Sequence, residues 1–465
     1  MTHDAPRLRD LDRDHVIHPY TDFATFAQEG SQVIVRGDGM HVTDAEGRRY
    51  LDGIAGLWCV NIGHGREEMA DALARQVREL AYYNPFGHTT SDAAAELGSR
   101  LASLSPGDLN HMFFTTGGST ANDVAVRLAH YYFQQRGLRA KRHVISRVDA
   151  YHGSTYFAAN LTGIQATKIG FNQIAEDLIS YVSSPSLYRR PAGADGLNDA
   201  DYTGFLANEL DNHIRQIGPD KVAAFIAEPI QGAGGVLVAP AGYHRAMKSV
   251  CEAHDVLYIM DEVVTAFGRL GEWFSSEPVF DVVPDIVCAA KGITSGYVPL
   301  GVAMISDAIY AEISRPQAEA GVLSMGFTYS GHPLACAAAL TNIEIMARED
   351  LPGRVRETGP LFQATLGKLA EHPLVGDVRG SHLMLGIELV ADKAQKTPFE
   401  ATVGSANRVF RRCLDLGVVV RPIGNVIVLS PPLIISEAQI DEIYDALKQA
   451  LNETADELQQ AGQLS

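Results

Sequence analysis

Apolar positions along the chain form two kinds of pattern, short continuous runs and longer stretches with a helical period. Residues 67–80 place Met69, Leu73 and Val77 on one face at helical spacing. Continuous apolar runs follow at 112–115, 143–146, 222–227, 256–260, 286–290 and 302–305. Helical stretches such as 122–136 and 243–254 separate most of these runs. Continuous apolar strands that alternate with helices predict an α/β fold, in which helices cover both faces of a mostly parallel sheet.

The two ends of the chain have a different pattern. Residues 33–43 predict two short strands joined by a turn. A long helix at 333–348 leads into alternating patterns that predict an α+β unit with strands at 383–389, 417–421 and 426–429 and a helix at 437–451. We therefore expect an N-terminal segment (1–59) packing with a small C-terminal domain (331–465), and a large domain (60–330) between them. The polar residues 452–465 are expected to fray.

Composition and charge narrow the functional classes. The 465 residues are 46% apolar and 20% charged, as in ordinary globular domains. With a net charge of −18, the chain lacks the positive field that would attract nucleic acid or an anionic membrane. We find no apolar run of membrane-spanning length, no secretory signal and no C-x-x-C pair among the five cysteines. The sequence thus predicts a cytoplasmic enzyme that binds neither nucleic acid nor membrane.

Several of the apolar runs end in residues that could do chemistry. Glu228, Asp261 and Lys291 each follow one run, and a glycine-containing loop at 116–120 follows another. Because ligands of open α/β sheets bind at the carboxyl ends of the strands, these groups are expected at one edge of the sheet.

Each of these residues has a functional and a structural interpretation. Burial would lower the pKa of Lys291 and make it a nucleophilic amine, unless the side chain reaches solvent. A buried Asp261 needs a cationic partner, either a cofactor ring nitrogen or an ion pair within the fold. The loop at 116–120 could seat a phosphate or cap a helix. Tyr151 could stack on a flat ring or pack in the core.

Taken together, these motifs resemble the class III (subgroup II) aminotransferases of the pyridoxal-phosphate-dependent fold type I, in particular the ω-transaminase or amine:pyruvate aminotransferase group. The most specific block is Asp261-Glu262-Val263 followed thirty residues later by Lys291-Gly292. Further matching blocks lie at 56–61, 228–232 and 326–333. The resemblance extends from Tyr20 to Leu451 and implies a large domain with a mostly parallel seven-stranded sheet and a smaller α+β domain.

The resemblance also implies roles for individual residues. Lys291 would carry pyridoxal 5'-phosphate as a Schiff base, and Asp261 would pair with its ring nitrogen. Other cofactor-binding residues would be Gly118, Ser119, Tyr151, His152, Glu228, Val263 and, from the other subunit, Thr328. The substrate pocket would contain Tyr20, Trp58, Phe86 of the partner subunit, and Arg421, which would pair with a substrate carboxylate. No metal is expected.

The implied activity is ping-pong transfer of an amino group from an amine or ω-amino acid to an α-keto acid, pyruvate, in a homodimer with shared sites. The identity of the amine and the choice between dimer and tetramer stay open; the family favours (S) amines. Thr120 departs from the usual phosphate loop, and His382 is left without a role.

The alternatives are a decarboxylase or aminomutase of the same family, and a serine hydrolase. The hydrolase would use Ser119 with His332 or His372, because the sequence 117–121 is close to G-x-S-x-G.

Overall fold

The computed structural model describes residues 3–315 and 322–464. The α-helices of these ranges are α1 (Ala5–His15), α2 (Phe23–Glu29), α3 (Ala55–Trp58), α4 (Glu67–Glu79), α5 (Asp92–Ala102), α6 (Gly118–Gln135), α7 (Tyr156–Leu161), α8 (Asp199–Ile217), α9 (Tyr243–Ala253), α10 (Ser276–Phe280), α11 (Asp307–Ile313), α12 (Pro333–Arg348), α13 (Leu351–Gly367), α14 (Ser405–Asp415) and α15 (Glu437–Gln460). The strands are β1 (Ile34–Asp38), β2 (His41–Asp44), β3 (Arg49–Asp52), β4 (His111–Thr115), β5 (His143–Arg147), β6 (Ile179–Val182), β7 (Val222–Ala227), β8 (Ile230–Gln231), β9 (Leu237–Val238), β10 (Leu257–Asp261), β11 (Ile286–Ala289), β12 (Gly301–Ile305), β13 (Val375–Ser381), β14 (Met384–Asp392), β15 (Thr397–Pro398), β16 (Val418–Val419), β17 (Arg421–Ile423) and β18 (Val426–Leu429).

A seven-stranded sheet in the order β4-β12-β11-β10-β7-β5-β6 forms the centre of the large part of the chain. Neighbouring strands of this sheet are parallel, except that β12 is antiparallel to both β11 and β4. The six predicted apolar runs are six of these strands, so the predicted α/β class with a mostly parallel sheet is confirmed. The apolar pattern missed β6, in which Ser180 and Tyr181 interrupt the apolar residues.

Alternate residues of the central strands pack into different cores. Tyr258 and Met260 of β10 belong to a core on one face of the sheet. Leu257 and Ile259 of the same strand belong to a second core that contains much of α6. Because both sets are buried, the strand has to be apolar at every position, which produces the continuous runs.

The N-terminal strands are completed by the C-terminal part of the chain. Strands β1, β2 and β3 form a sheet whose last member is β16, which pairs in parallel with β3 through Val418 and Leu51. A second C-terminal sheet has the order β13-β14-β18-β17, with β15 beside β14. Residues of the first and last hundred positions therefore share one sheet.

The end of the chain departs from the sequence prediction. Residues 452–465 were expected to fray, but α15 continues to Gln460. Leu451, Thr454 and Leu458 are buried at helical spacing, so the apolar face extends beyond the predicted end of the helix. Among the helices of the described residues, none has the length and apolarity of a membrane span.

Candidate active site

Three ionisable residues lie at one edge of the central sheet. Lys291 follows β11, Asp261 is the last residue of β10, and Glu228 follows β7; these strands are adjacent and parallel. Burial lowers the pKa of the Lys291 ammonium, and the charges of Asp261 and Glu228 act in the opposite direction. The structure thus brings together the three groups that the sequence predicted at strand ends.

Both carboxylate oxygens of Asp261 already have hydrogen-bond partners. Oδ1 accepts from the Val263 backbone N–H at 3.0 Å. Oδ2 accepts from Asn122 Nδ2 at 2.7 Å and lies 2.8 Å from His152 Nδ1. Asn122 was not singled out from the sequence. Its position one turn after the phosphate-type loop, on the face of α6 toward the sheet, was the available signal.

The glycine loop at the start of α6 is closely packed. A Cβ at Gly118 would lie 2.8 Å from Val263 Cγ1, and a Cβ at Gly153 would lie 2.4 Å from Ser119 Oγ. Ser119 Oγ accepts a hydrogen bond from the Ser154 N–H at 3.0 Å. Thr120 donates its hydroxyl hydrogen to the Gly117 carbonyl at 2.9 Å. The backbone N–H groups at the start of a helix have no partner within the helix, so they can donate to an anion.

Three hydroxyl groups meet at the mouth of the site. Tyr20 Oη lies 3.2 Å from both Tyr151 Oη and Ser154 Oγ, and the latter two are 3.0 Å apart. Burial raises the pKa of Tyr151 to about 12, and the Ser154 hydrogen bond acts against this. The N-terminal segment therefore reaches the site through Tyr20, although this side chain is 69% exposed.

Glu228 is buried and held by several donors. Its carboxylate accepts from the Tyr151 and Gly232 N–H groups, each at 3.2 Å. The fully buried Arg147 donates to the Glu228 carbonyl at 2.6 Å, and its Nη2 lies 4.0 Å from Glu228 Oε2. Burial raises the pKa of Glu228 to about 7, while His152 and Arg147 oppose this rise. Arg147 was not identified from the sequence.

Arg421 and Trp58 approach the site from the small sheet and the N-terminal segment. Burial lowers the pKa of Arg421, and the nearby hydroxyls of Tyr151 and Tyr20 act against this shift. Arg421 Nε is buried without a hydrogen-bond partner. Trp58 is buried, and its ring edge lies 3.6 Å from the position of a Cβ on Gly232.

The contacts of Phe86 and Thr328 are with residues other than Lys291, Asp261 and Glu228. Phe86 is 53% exposed and lines a cavity of about 660 Å³ together with Met112, Phe114 and Met325. Thr328 is exposed, and its carbonyl accepts from Tyr82 Oη at 2.7 Å. Within one chain these two residues are therefore not assembled with the group around Lys291.

In the described residues, the hydrogen bonds of Ser119, His332 and His372 do not form the catalytic triad that a serine hydrolase needs. Ser119 Oγ accepts from a backbone N–H. His332 accepts from the Leu334 N–H, and His372 Nε2 lies 3.2 Å from Asn452 Oδ1.

His382, which the sequence left without a role, has its Nδ1 atom 2.9 Å from Ser381 Oγ. A Cβ at Gly359 would touch the backbone of His382, which indicates a packing position for this histidine.

The chain is similar to known proteins over nearly its whole length. A sequence model of the family "Aminotransferase class-III" matches residues 25–451. The putrescine–pyruvate aminotransferase of Pseudomonas aeruginosa is 39% identical over 447 residues, which are 96% of each chain. The crystal structure of a thermostable (S)-enantioselective ω-transaminase from Thermomicrobium roseum superposes with a TM-score of 0.94 at 41% identity, covering 98% of this chain and 100% of that one. An ω-transaminase from Pseudomonas jessenii in complex with PMP has a TM-score of 0.93 at 34% identity, covering 98% and 99%.

Proposed function

Because this chain belongs to the class-III aminotransferases, which are pyridoxal-phosphate-dependent transaminases, we propose that it moves an amino group from an amine or ω-amino acid to pyruvate. The observation that carries the proposal is the edge at which Lys291, Asp261 and the loop of Ser119 meet, with Arg421 at its mouth. The similarity to a putrescine–pyruvate aminotransferase and to an (S)-enantioselective ω-transaminase supports a pocket for amines.

The residues of this edge fit pyridoxal 5'-phosphate. The packed glycine loop leaves backbone donors for a phosphate, and Lys291 provides an amine for an aldehyde. His152 Nε2 and Asn122 Oδ1 are buried without a partner beside Asp261. We propose that Gly118, Ser119 and Thr328 of the partner subunit hold the phosphate, and that Asp261 faces the ring nitrogen. Tyr151, His152, Glu228 and Val263 would surround the ring.

When bound, the cofactor supplies an electron sink for the carbon that carries the amino group. The chain's own residues handle the proton and the orientation. A lysine with a lowered pKa is a free amine at a lower pH than an exposed one, so Lys291 Nζ can accept a proton and return it. The carboxylate of Asp261, held by three donors, favours a proton on the ring nitrogen that it would face.

The mouth of the site would have to accept two different substrates. A keto acid carries a carboxylate, which the planar fork of Arg421 can bind with two hydrogen bonds. A plain amine has no carboxylate and needs apolar contact instead. Trp58, Tyr20 and Phe86 of the partner subunit would provide this contact.

We further propose a homodimer, in which Phe86 and Thr328 would serve the partner subunit's site. Exposed aromatic residues surround them, and a surface of this kind is typical of an interface. The five unpaired cysteines are consistent with the cytoplasm as the working compartment.

The experiment is a spectroscopic half-reaction of the purified protein loaded with pyridoxal 5'-phosphate. Putrescine, γ-aminobutyrate and (S)-1-phenylethylamine would be added separately without keto acid, with (R)-1-phenylethylamine as the matched control. We expect one donor to bleach the visible band and pyruvate to restore it. A protein that binds the cofactor but responds to none of the amines would contradict the proposed substrate class. A protein that binds no cofactor would contradict the proposed site.

A further inference from the structure

The turn that carries Lys291 has an unfavourable backbone conformation. Lys291 has φ +43° and Ser295 has φ +50°, so two side-chain-bearing residues of one short segment are left-handed. This conformation is unfavourable for a residue with a Cβ unless its surroundings compensate. The direction of the Lys291 side chain depends on this backbone. Whatever holds the turn therefore also directs the amine.

Asn342 of α12 holds the turn through both ends of its amide. Its Nδ2 donates to the carbonyls of Gly292 at 2.9 Å and Ile293 at 3.0 Å. Its Oδ1 accepts from Ser295 Oγ at 2.6 Å. The Asn342 side chain is fully buried, so no solvent can replace these bonds. A single side chain thus satisfies two carbonyls and one hydroxyl of the segment that begins at Lys291.

The same turn is tied to the segment that carries Trp58. Ser295 Oγ also accepts from the Ile62 N–H at 3.2 Å. A Cβ on Gly292 would lie 2.4 Å from Asn61 Nδ2, so Asn61 packs directly on the turn. Asn61 is fixed in place by its own bonds to the Phe267 carbonyl and Arg269. The turn of Lys291 and the substrate wall at Trp58 are therefore linked through Ser295.

We infer that Asn342 is a positioning residue, which keeps the turn after β11 left-handed and thereby aims the Lys291 amine at the reacting carbon. Asn342 acts through the Gly292 and Ile293 carbonyls and does not touch the substrate. The inference rests on the family's reaction at Lys291 and on the proposed site, but not on which amine or keto acid is used.

The test compares substitutions that separate donor loss from loss of packing. Asn342→Leu removes the amide and keeps a side chain of similar size, whereas Asn342→Ala removes both. The control is Ile343→Ala, the neighbouring fully buried residue of α12, which removes packing alone. For each full-length protein we would measure the rate at which added pyridoxal 5'-phosphate forms its visible band, the pH midpoint of that band, the single-turnover rate constant with its half-saturating amine concentration, and the melting temperature.

We expect both Asn342 variants to slow band formation, to shift the pH midpoint, and to lower the single-turnover rate constant about 100-fold, the size of effect that a misplaced reactive group causes. The half-saturating amine concentration should stay near that of the wild type. Ile343→Ala should lower the melting temperature and leave the other readings unchanged.

Wild-type kinetics and pH midpoint in Asn342→Leu would overturn the inference, and so would equal kinetic losses in Ile343→Ala. If neither Asn342 variant folds, Ser295→Ala provides the test, since it removes the hydroxyl that donates to Asn342 Oδ1. It should move the same readings in the same direction, and unchanged values would overturn the inference. A wild-type protein that forms no visible band would instead refute the proposed site.

Discussion

Arg421 and Glu228 are two ionisable residues that differ in the hydrogen-bond partners available to them. The Nε atom of the Arg421 guanidinium is buried without a hydrogen-bond partner. Glu228 is surrounded by backbone donors and by Arg147 at the edge of ion-pair distance. The first is available to an anionic ligand, while the second already has its partners.

Replacing Arg421 should therefore affect the two halves of the reaction differently. Arg421→Leu is expected to raise the half-saturating pyruvate concentration about 10- to 100-fold, the range for a lost hydrogen bond to a charged group. The half-reaction with a plain amine should change little, because it has no carboxylate to bind. Single-turnover measurements of each half would show this, with the exposed Arg411→Leu as control. Equal losses in both halves would remove the carboxylate role.

The raised pKa of Glu228 makes the stability of the fold depend on pH. Burial shifts this pKa from 4.5 to about 7. The unfolded chain loses the proton near pH 4.5, whereas the folded chain keeps it until about pH 7, so stability falls as the pH rises through this window. At about 1.4 kcal/mol for each pH unit, the loss is on the order of 3 kcal/mol.

Glu228→Gln should abolish this part of the pH dependence. Between pH 5 and pH 8, the free energy of unfolding of the cofactor-free wild type should fall more than that of the variant. Denaturant titrations at both pH values measure the difference, and Glu277→Gln at the surface serves as control. A wild type and a variant with parallel pH profiles would show that Glu228 ionises normally in the fold.

At the scale of elements, the start of α6 is fitted against the segment after β10. Gly118 is the contact point, because a Cβ there would meet Val263 at 2.8 Å. A Cβ on the adjacent Gly117 would have no heavy atom within 4 Å, and its φ of 166° is extended. The two glycines therefore form a matched pair, one packed against a strand end and the other not.

Gly118→Ala should destabilise the cofactor-free protein by about 1–3 kcal/mol, the usual cost of overpacking. Gly117→Ala should have a smaller effect. The double variant Gly118→Ala/Val263→Ala should recover part of the loss, since the smaller side chain makes room for the new methyl. Denaturant unfolding measures these three variants and Val263→Ala alone. A double variant that loses as much stability as the two single variants together, or more, would contradict the contact.

At the scale of the whole molecule, the proposed homodimer completes each site with residues of the partner subunit. The exposed Tyr82 and Tyr329 pack together beside Thr328, and the exposed Phe86 and Val322 line one cavity. If Thr328 serves the partner subunit, mixing two defective chains should restore activity. Lys291→Ala removes the amine, and Thr328→Asp places a negative charge where a phosphate is proposed to bind.

A hybrid of these two chains should contain one wild-type site, because the intact Lys291 and the intact Thr328 come from different chains. Refolding equal amounts together should give about half of the hybrids and clear activity above either parent. The control is a chain carrying both substitutions, mixed with Lys291→Ala, which yields no wild-type site. Absence of recovery in a mixture shown to contain hybrids would place Thr328 in its own chain's site.

The sequence by itself determined six of the seven strands of the central sheet and the ionisable residues at its edge. Continuous apolar runs mark strands buried on both faces, and a polar residue at the end of such a run has to lie at the sheet's carboxyl edge. Lys291, Asp261 and Glu228 could be predicted for this reason. The family motifs added the cofactor and the reaction. The domain boundaries and the roles of the individual site residues stay predictions.

Only the tertiary structure decided which side chains hold that edge in place. Asn122 meets Asp261 across 139 positions of sequence, and Asn342 meets Gly292 across 50. Hydrophobic periodicity reports only on neighbours along a helix or strand, so it cannot reveal contacts between distant segments. The extension of α15 depends on packing partners in the same way. Local sequence patterns predicted the strands and the polar residues at their ends. The contacts of the buried Asn122 and Asn342 side chains with Asp261 and with the segment after Lys291 depend on how the whole chain folds.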